Sequence, residues 1–223
     1  MKKYEFTGEV KVWLGHTLRR IRATISFGNV TAGDLGGWIE KEENLDALVY
    51  GDAQVYGDAW VYGDAWVYGN ALVCGDAQVY GNAQVYGDAL VCGNARVYGD
   101  ALVCGNARVY GDALVCGNAR VYGNARVYGD ALVCGNARVY GDALVCGDAH
   151  YLTVGPIGSR SATTTFFRTK NLEIWVSCGC FLGSLQAFEE KVKKTHGDNN
   201  HAKIYMATIE LAKLHIDLTK EEG

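Results

Sequence analysis

The side chains best suited to chemistry lie towards the end of the chain. Gly158-Ser159-Arg160, followed by Thr163, Thr164 and Thr165, gathers hydroxyls and a guanidinium around a glycine turn, with His196 further on as a titratable partner. That is the donor set of a pocket for an anion or a phosphate. It lacks the GxxxxGK[ST] spacing of a phosphate-binding loop, and a polar β-turn running into an exposed strand accounts for the same residues. Cys178-Gly179-Cys180 with His196 and His201 supplies the ligand types that zinc takes. The CxC spacing is tighter than that of common zinc knuckles and occurs once, so buried thiols and a helix-end histidine are the competing account. Cys178 or Cys180 with His196 could also pair as nucleophile and base, but no orienting acid or oxyanion motif accompanies them.

These residues need elements to hold them. Residues 162–167 (ATTTFF) and 172–178 (LEIWVSC) read as two strands around Thr169-Lys170-Asn171. Ser184 suits the N-cap of a helix running through His196 and ended by Gly197, and a second helix spans about 201–216. The region 153–223 is therefore expected to be a small ββαα unit.

Upstream the chain is periodic. From Gly51 it reads GDAQVY GDAWVY GDAWVY GNALVC and continues in sixes to the hexad opening at Gly147, seventeen in all, with residues 45–50 a degenerate eighteenth. A period of six keeps no single face on a 3.6-residue helix, and a glycine every sixth residue costs a helix about 1 kcal/mol each time. In an extended segment the Ala and Val of each hexad, two apart, point to the same side, and the variable residue between them points away. Gly followed by Asp or Asn then turns the chain, because glycine tolerates positive φ and the Asx side chain bonds nearby backbone. Strand, corner, strand: the chain coils around a narrow interior of alanine and valine.

The pattern resembles the left-handed parallel β-helix of hexapeptide-repeat proteins, in which an aliphatic residue is followed four positions later by a small one, as Val55 is by Ala59. In its GDA/GNA-x-V form it is similar to the YdcK-type repeat proteins and to comparable proteins of phages and prophages. The resemblance covers residues 45–152 and implies three hexads per triangular coil, hence about six coils. At ~4.8 Å between neighbouring strands the rod is roughly 29 Å long. Stacking at n+18 then sets Leu72 and Cys74 against Leu90 and Cys92, and Leu114 and Cys116 against Leu132 and Cys134. Two outward apolar strips result, suited to burial against another subunit; a regular solenoid surface is the plainer account. Arg96, Arg108, Arg120, Arg126 and Arg138 stand beside tyrosines, where stacking is available.

Enzymes of the hexapeptide-repeat type are acyltransferases, which use a histidine and loops that interrupt the coils at a subunit cleft. Residues 51–152 contain no insertion, and their single histidine, His150, falls in the last hexad, where surface or cap packing is expected. Near-identical hexads also give no place where unlike residues converge. No catalytic residue is assigned and no cofactor is expected.

A solenoid leaves unpaired strand edges at both ends, so both need caps. In residues 1–44, YEFTGEVKVW and HTLRRIRATISF alternate as a hairpin would, TAGDLGGWIE leads into the first coil, and Arg19, Arg20 and Arg22 read as a solvated strand face. Residues 45–152 carry five Arg against eleven Asp, an acidic rod between two nearly neutral ends, which argues against wrapping nucleic acid. No apolar run is long enough for a membrane span and no export signal precedes the hairpin. Six of the eight cysteines recur at one repeat position, as reduced thiols in a cytoplasm would. The expectation is a mainly β protein: a single-stranded left-handed parallel β-helix over 45–152, an N-terminal β cap over 1–44 and the C-terminal ββαα domain over 153–223. Its expected function is that of a non-catalytic, self-associating scaffold or binding protein, phage- or prophage-encoded and cytoplasmic in a bacterial host, whose rigid rod presents a C-terminal binding head. Sequestration of a nucleotide-like anionic ligand and a hexapeptide acyltransferase or its relic are the alternatives.

Overall fold

The computed structural model describes residues 3–26 and 30–219. In the repeat each hexad supplies one short strand and one corner. Every hexad glycine from Gly51 to Gly141 has positive φ, between 60° and 73°. At Gly93 a Cβ would be doubly penalised, by φ of +70° and by lying 3.0 Å from the backbone N of Gly111 in the next coil. From Val61 to Val139 the hexad valines and alanines are fully buried, while the residue between each Ala and Val faces outward.

The coil is three-sided and its register is eighteen residues. On one face Gln54, Leu72, Leu90, Arg108, Arg126 and Leu144 follow one another as parallel partners. On the second, Trp60, Gln78, Arg96, Leu114 and Leu132 do so. On the third, Trp66, Gln84, Leu102, Arg120 and Arg138 are aligned. Each repeat position therefore stacks on the same position one coil on. Tyr62, Tyr80 and Tyr98 lie face to face at 4.8 and 4.9 Å. The corners carry amide ladders: Asn70, Asn82 and Asn94 each donate Nδ2 to the aspartate one coil on, at 2.9, 3.0 and 2.8 Å. A column of aspartates alone would repel itself, and asparagine relieves it.

The caps satisfy the edge strands. Tyr4–Trp13 and His16–Ala23 form the expected antiparallel hairpin. Leu35–Ile39 pairs antiparallel with the second hairpin strand and parallel with Gln54–Val55, so the hairpin continues one rod face. Asn44, 1% exposed, donates Nδ2 to the carbonyls of Gly57 and Ala59, which have no coil below them to serve. Glu40 Oε2 likewise accepts the Gly57 N–H at 2.8 Å.

At the far end the repeat stops one hexad earlier than its sequence does. Residues 147–152 keep the GDA opening, but Gly147 has φ −167°, Asp148–His150 is a 3-10 turn, and Tyr151–Ile157 leaves as the first strand of an antiparallel sheet. The histidine and tyrosine in this hexad replace the outward residue and the valine, so the coil has no buried valine to continue it. The sheet has four strands where two are legible in the sequence: Tyr151–Ile157 and Phe181–Ser184 flank Ala162–Arg168 and Ile174–Cys178. Helix α1 (Leu185–His196) starts on Ser184, whose side chain accepts the Ala187 N–H, and ends at Gly197 with φ +54°. Helix α2 (Asn200–His215) is capped by Asn199. Phe166, Val176, Phe188, Ile209 and Ala212 form the head's own core.

Candidate functional site

The glycine turn, the CxC segment and the end of α1 meet. Ser159, Arg160, Cys178, Cys180 and His196 line one open cavity of about 230 Å³ in the head, together with Lys191, Thr195 and Tyr205, above an apolar floor of Phe181, Phe188 and Val192. Gly158 makes this possible: its φ is +73°, and a Cβ there would strike the Tyr205 hydroxyl. Tyr205 in turn packs edge-on to Phe188 at 5.6 Å and stacks with His196 at 5.7 Å. Burial, and then the Cys178 thiol beside it, push the Tyr205 hydroxyl up to about 12, so it remains a donor at neutral pH. Among the described residues neither Arg160 nor Lys191 has an ion-pair partner. Two full positive charges outweigh the roughly half negative charge of the α1 C-terminus nearby, so the rim is net positive.

The three threonines do not join them. Thr165 Oγ1 accepts the Arg138 N–H at 3.0 Å, in place of the next coil's carbonyl, and is a rod cap. Thr164 is buried and donates to Cys178 Sγ at 3.2 Å. Thr163 lines a different space, between head and rod, with Leu132, Cys134 and Tyr151. Strand alternation explains the split, since neighbouring residues of Ala162–Arg168 face opposite sides of the sheet.

Nor do Cys178, Cys180, His196 and His201 make a metal centre. Among the described residues no three His, Cys, Asp or Glu side chains are grouped to hold an ion. Cys178 is engaged by Thr164 and Tyr205, and the two histidine rings are 5.7 Å apart without a shared cysteine.

Both Leu/Cys strips exist as columns, Leu72 against Leu90 and Leu114 against Leu132, and all eight side chains are half-buried. Leu72 and Cys74 pack on Leu18 and Trp38 of the N-terminal cap and on Tyr56 of the first full hexad. The more exposed apolar side chains lie elsewhere, at the hairpin tip (Val12, Leu14) and along α2 (Ile204, Leu211, Leu214).

Two spaces had no signal in the sequence. A groove of about 350 Å³ runs over Arg108 and Arg126, which register sets side by side, and over Lys170 from the head. A mostly apolar cavity of about 330 Å³ lies between Tyr4, Ile21, Leu35, Tyr50 and Trp66 under the N-terminal cap. Both depend on pairing across eighteen or more residues, which no local motif records.

The YdcK beta solenoid repeat family matches eight overlapping or adjoining stretches, from residues 53–69 to residues 131–147. The rod is a YdcK-type β-solenoid. The matched stretches lie entirely within the coils, so the head cavity and the hairpin cap fall outside what the YdcK repeat describes. No curated protein matches the chain. No described helix is long and apolar enough to cross a membrane.

Proposed function

We propose that this is a non-catalytic binding protein in which the YdcK-type rod is a rigid stem and the C-terminal head captures a small anionic ligand. One observation carries the reading: Arg160, Lys191 and His196 come together around the apolar floor of Phe181, Phe188 and Val192. Charge at the rim with aromatic surface beneath suits a molecule that pairs a phosphate or carboxylate with a flat apolar part, as a nucleotide does. The volume is below the ~300–1,000 Å³ of drug-sized sites, so part of such a ligand stays in solvent. The rod's uniform corners and dry interior supply stiffness and no convergence of unlike groups.

Self-association belongs to the same reading, through the half-exposed Leu/Cys strips of the rod where the N-terminal cap leaves them uncovered. A reducing, cytoplasmic setting in a bacterial host agrees with eight free thiols, and the GDA/GNA form of the repeat favours phage or prophage origin. An acyltransferase is the competing reading.

Thermal shift against nucleotides, cyclic nucleotides and acyl-CoA tests these, since a ligand bound only by the folded state raises its stability. The expected result is stabilisation by a nucleotide, abolished in Arg160→Ala with the ligand-free melting temperature unchanged. Stabilisation by acyl-CoA that survives Arg160→Ala points to the acyltransferase. No shift with any of them reduces the protein to a stem. Light scattering that finds only monomer at high concentration removes self-association.

A further inference from the structure

Outside the head cavity, at the joint between rod and head, three side chains converge that the binding reading does not use. Cys146 ends the last regular hexad, His150 lies in the 3-10 turn that follows, and Arg168 closes the head strand Ala162–Arg168. Cys146 Sγ is 2.9 Å from His150 Nδ1 and accepts from Arg168 Nη2 at 3.3 Å. The backbone N–H of Cys146 donates to the same Nδ1 at 3.2 Å. That nitrogen is therefore the unprotonated acceptor of the ring, its single lone pair shared between the backbone N–H and the thiol proton. Arg168 is 1% exposed and His150 8%, whereas Cys146 is only half-buried.

The equivalent cysteines elsewhere have different company. Cys104 and Cys116 lie beside Tyr86 and Tyr98, their neighbours one coil below, whose hydroxyls they push up. Cys146 likewise stands above a tyrosine, Tyr128, but here a guanidinium faces the sulfur as well. Arginine keeps its charge in any protein environment, and away from water that charge stabilises an anion beside it more strongly. A base within reach of the proton and a fixed cation on the sulfur are the two conditions that make a cysteine nucleophilic.

We propose that Cys146 is a reactive thiolate, set up by His150 and Arg168, that is oxidised by hydroperoxides. His150 Nδ1 takes the thiol proton. The sulfur then attacks one peroxide oxygen, forming an S–O bond as the O–O bond breaks. Sulfur loses two electrons and becomes a sulfenic acid; the peroxide gains them and leaves as alkoxide or hydroxide, which recovers the proton from His150 as an alcohol or water. Arg168 also bonds the carbonyls of Leu144 and Thr219, at 3.4 and 3.2 Å, so the modified sulfur sits in the clasp that holds head to rod. Among the described residues, Asp217 from the C-terminal segment faces His150 and Arg168, and Tyr128 lies in the coil below Cys146 with Tyr110 stacked on it at 5.0 Å. The bonds from Thr219, and also His150 and Arg168, hold the Asp217 carboxyl below its ordinary range, so it stays anionic at neutral pH.

The test is a pulse of iodoacetamide on the folded protein from pH 5 to pH 10, with each cysteine peptide quantified by mass spectrometry and the same protein in urea as reference. Cys146 is expected to label with a midpoint at least about one pH unit more acidic folded than unfolded, and His150→Gln to move it back towards alkaline pH. Hydrogen peroxide followed by a sulfenic-acid trap is expected to mark Cys146 before the exposed Cys180. A folded midpoint equal to the unfolded one overturns the proposal. So does a Cys146 that stays unlabelled until the protein unfolds, or a trap that marks Cys180 first.

Discussion

The rod and the head solve the same problem of burial by opposite means. In the rod each buried valine rests on the valine one coil away, Val73 on Val91 and Val91 on Val109, so one contact is made repeatedly. In the head Phe166, Phe188, Tyr205 and Ile209 each meet different neighbours. Repetition gives a regular wall whose outward positions can vary freely, but it cannot bring an arginine, a lysine and a histidine to one point. Non-repetition can, and both clusters of unlike polar groups on the C-terminal side lie where copying has stopped: the cavity in the head and the joint at Cys146.

If the contrast holds, damage spreads differently in the two parts. Ile209→Ala, at a fully buried head position, is expected to cost about 2–5 kcal/mol and to melt the helical signal while the stacked tyrosines of the rod persist in near-UV circular dichroism. Simultaneous loss of both signals would show that head and rod fold as one unit. Gly93→Ala, forced to φ of +70°, is expected to cost about 1–3 kcal/mol. The loss should appear in the rod's transition, since each coil depends on its neighbours; an unchanged denaturation midpoint would mean the corner relaxes.

The N-terminal cap gives a smaller effect with a sign. Burial pushes the Glu40 carboxyl up, but the Gly57 N–H, His16 and Lys41 outweigh it and hold it below the ordinary range. A carboxyl lowered by folding adds stability above its unfolded value, near 4.3, and that stability is lost as pH falls through the folded value. Glu40→Gln should therefore cost about 1 kcal/mol at pH 7 and progressively less as the pH falls through the folded value, by urea titration across that range. The smallest change is on the ladder. Asn94→Asp places a carboxylate between Asp76 and Asp112, in line with Asp130, and should cost about 0.5 kcal/mol, recovered in 1 M salt. Head variants should show no such salt response.

Much of the rod is legible in the sequence because its rule is local. Glycine's freedom at positive φ, the two-residue alternation of Ala and Val and the six-residue period repeat without exception from Gly51 to Val145, and they dictate coil, interior and register. The helices of the head are legible for the same reason, through Ser184 and Gly197. Chemistry is not local in that way. The turn at Ser159-Arg160, the CxC segment and His196 could be named from residue types, yet the turning of Thr163 and Thr165 towards the rod and of Thr164 towards Cys178 depends on which side of a sheet each faces.

Residue order alone thus determined the coil and its inward and outward sides, since steric and burial preferences act over a few residues. Tertiary structure decided where the repeat ends, at Gly147 despite its GDA signature, and put Lys191 and Tyr205 in the cavity. It also placed Arg168 on Cys146, twenty-two positions away in the chain. Those outcomes rest on long-range packing at the rod's end, where a buried guanidinium and orphaned carbonyls must find partners that no neighbouring residue supplies.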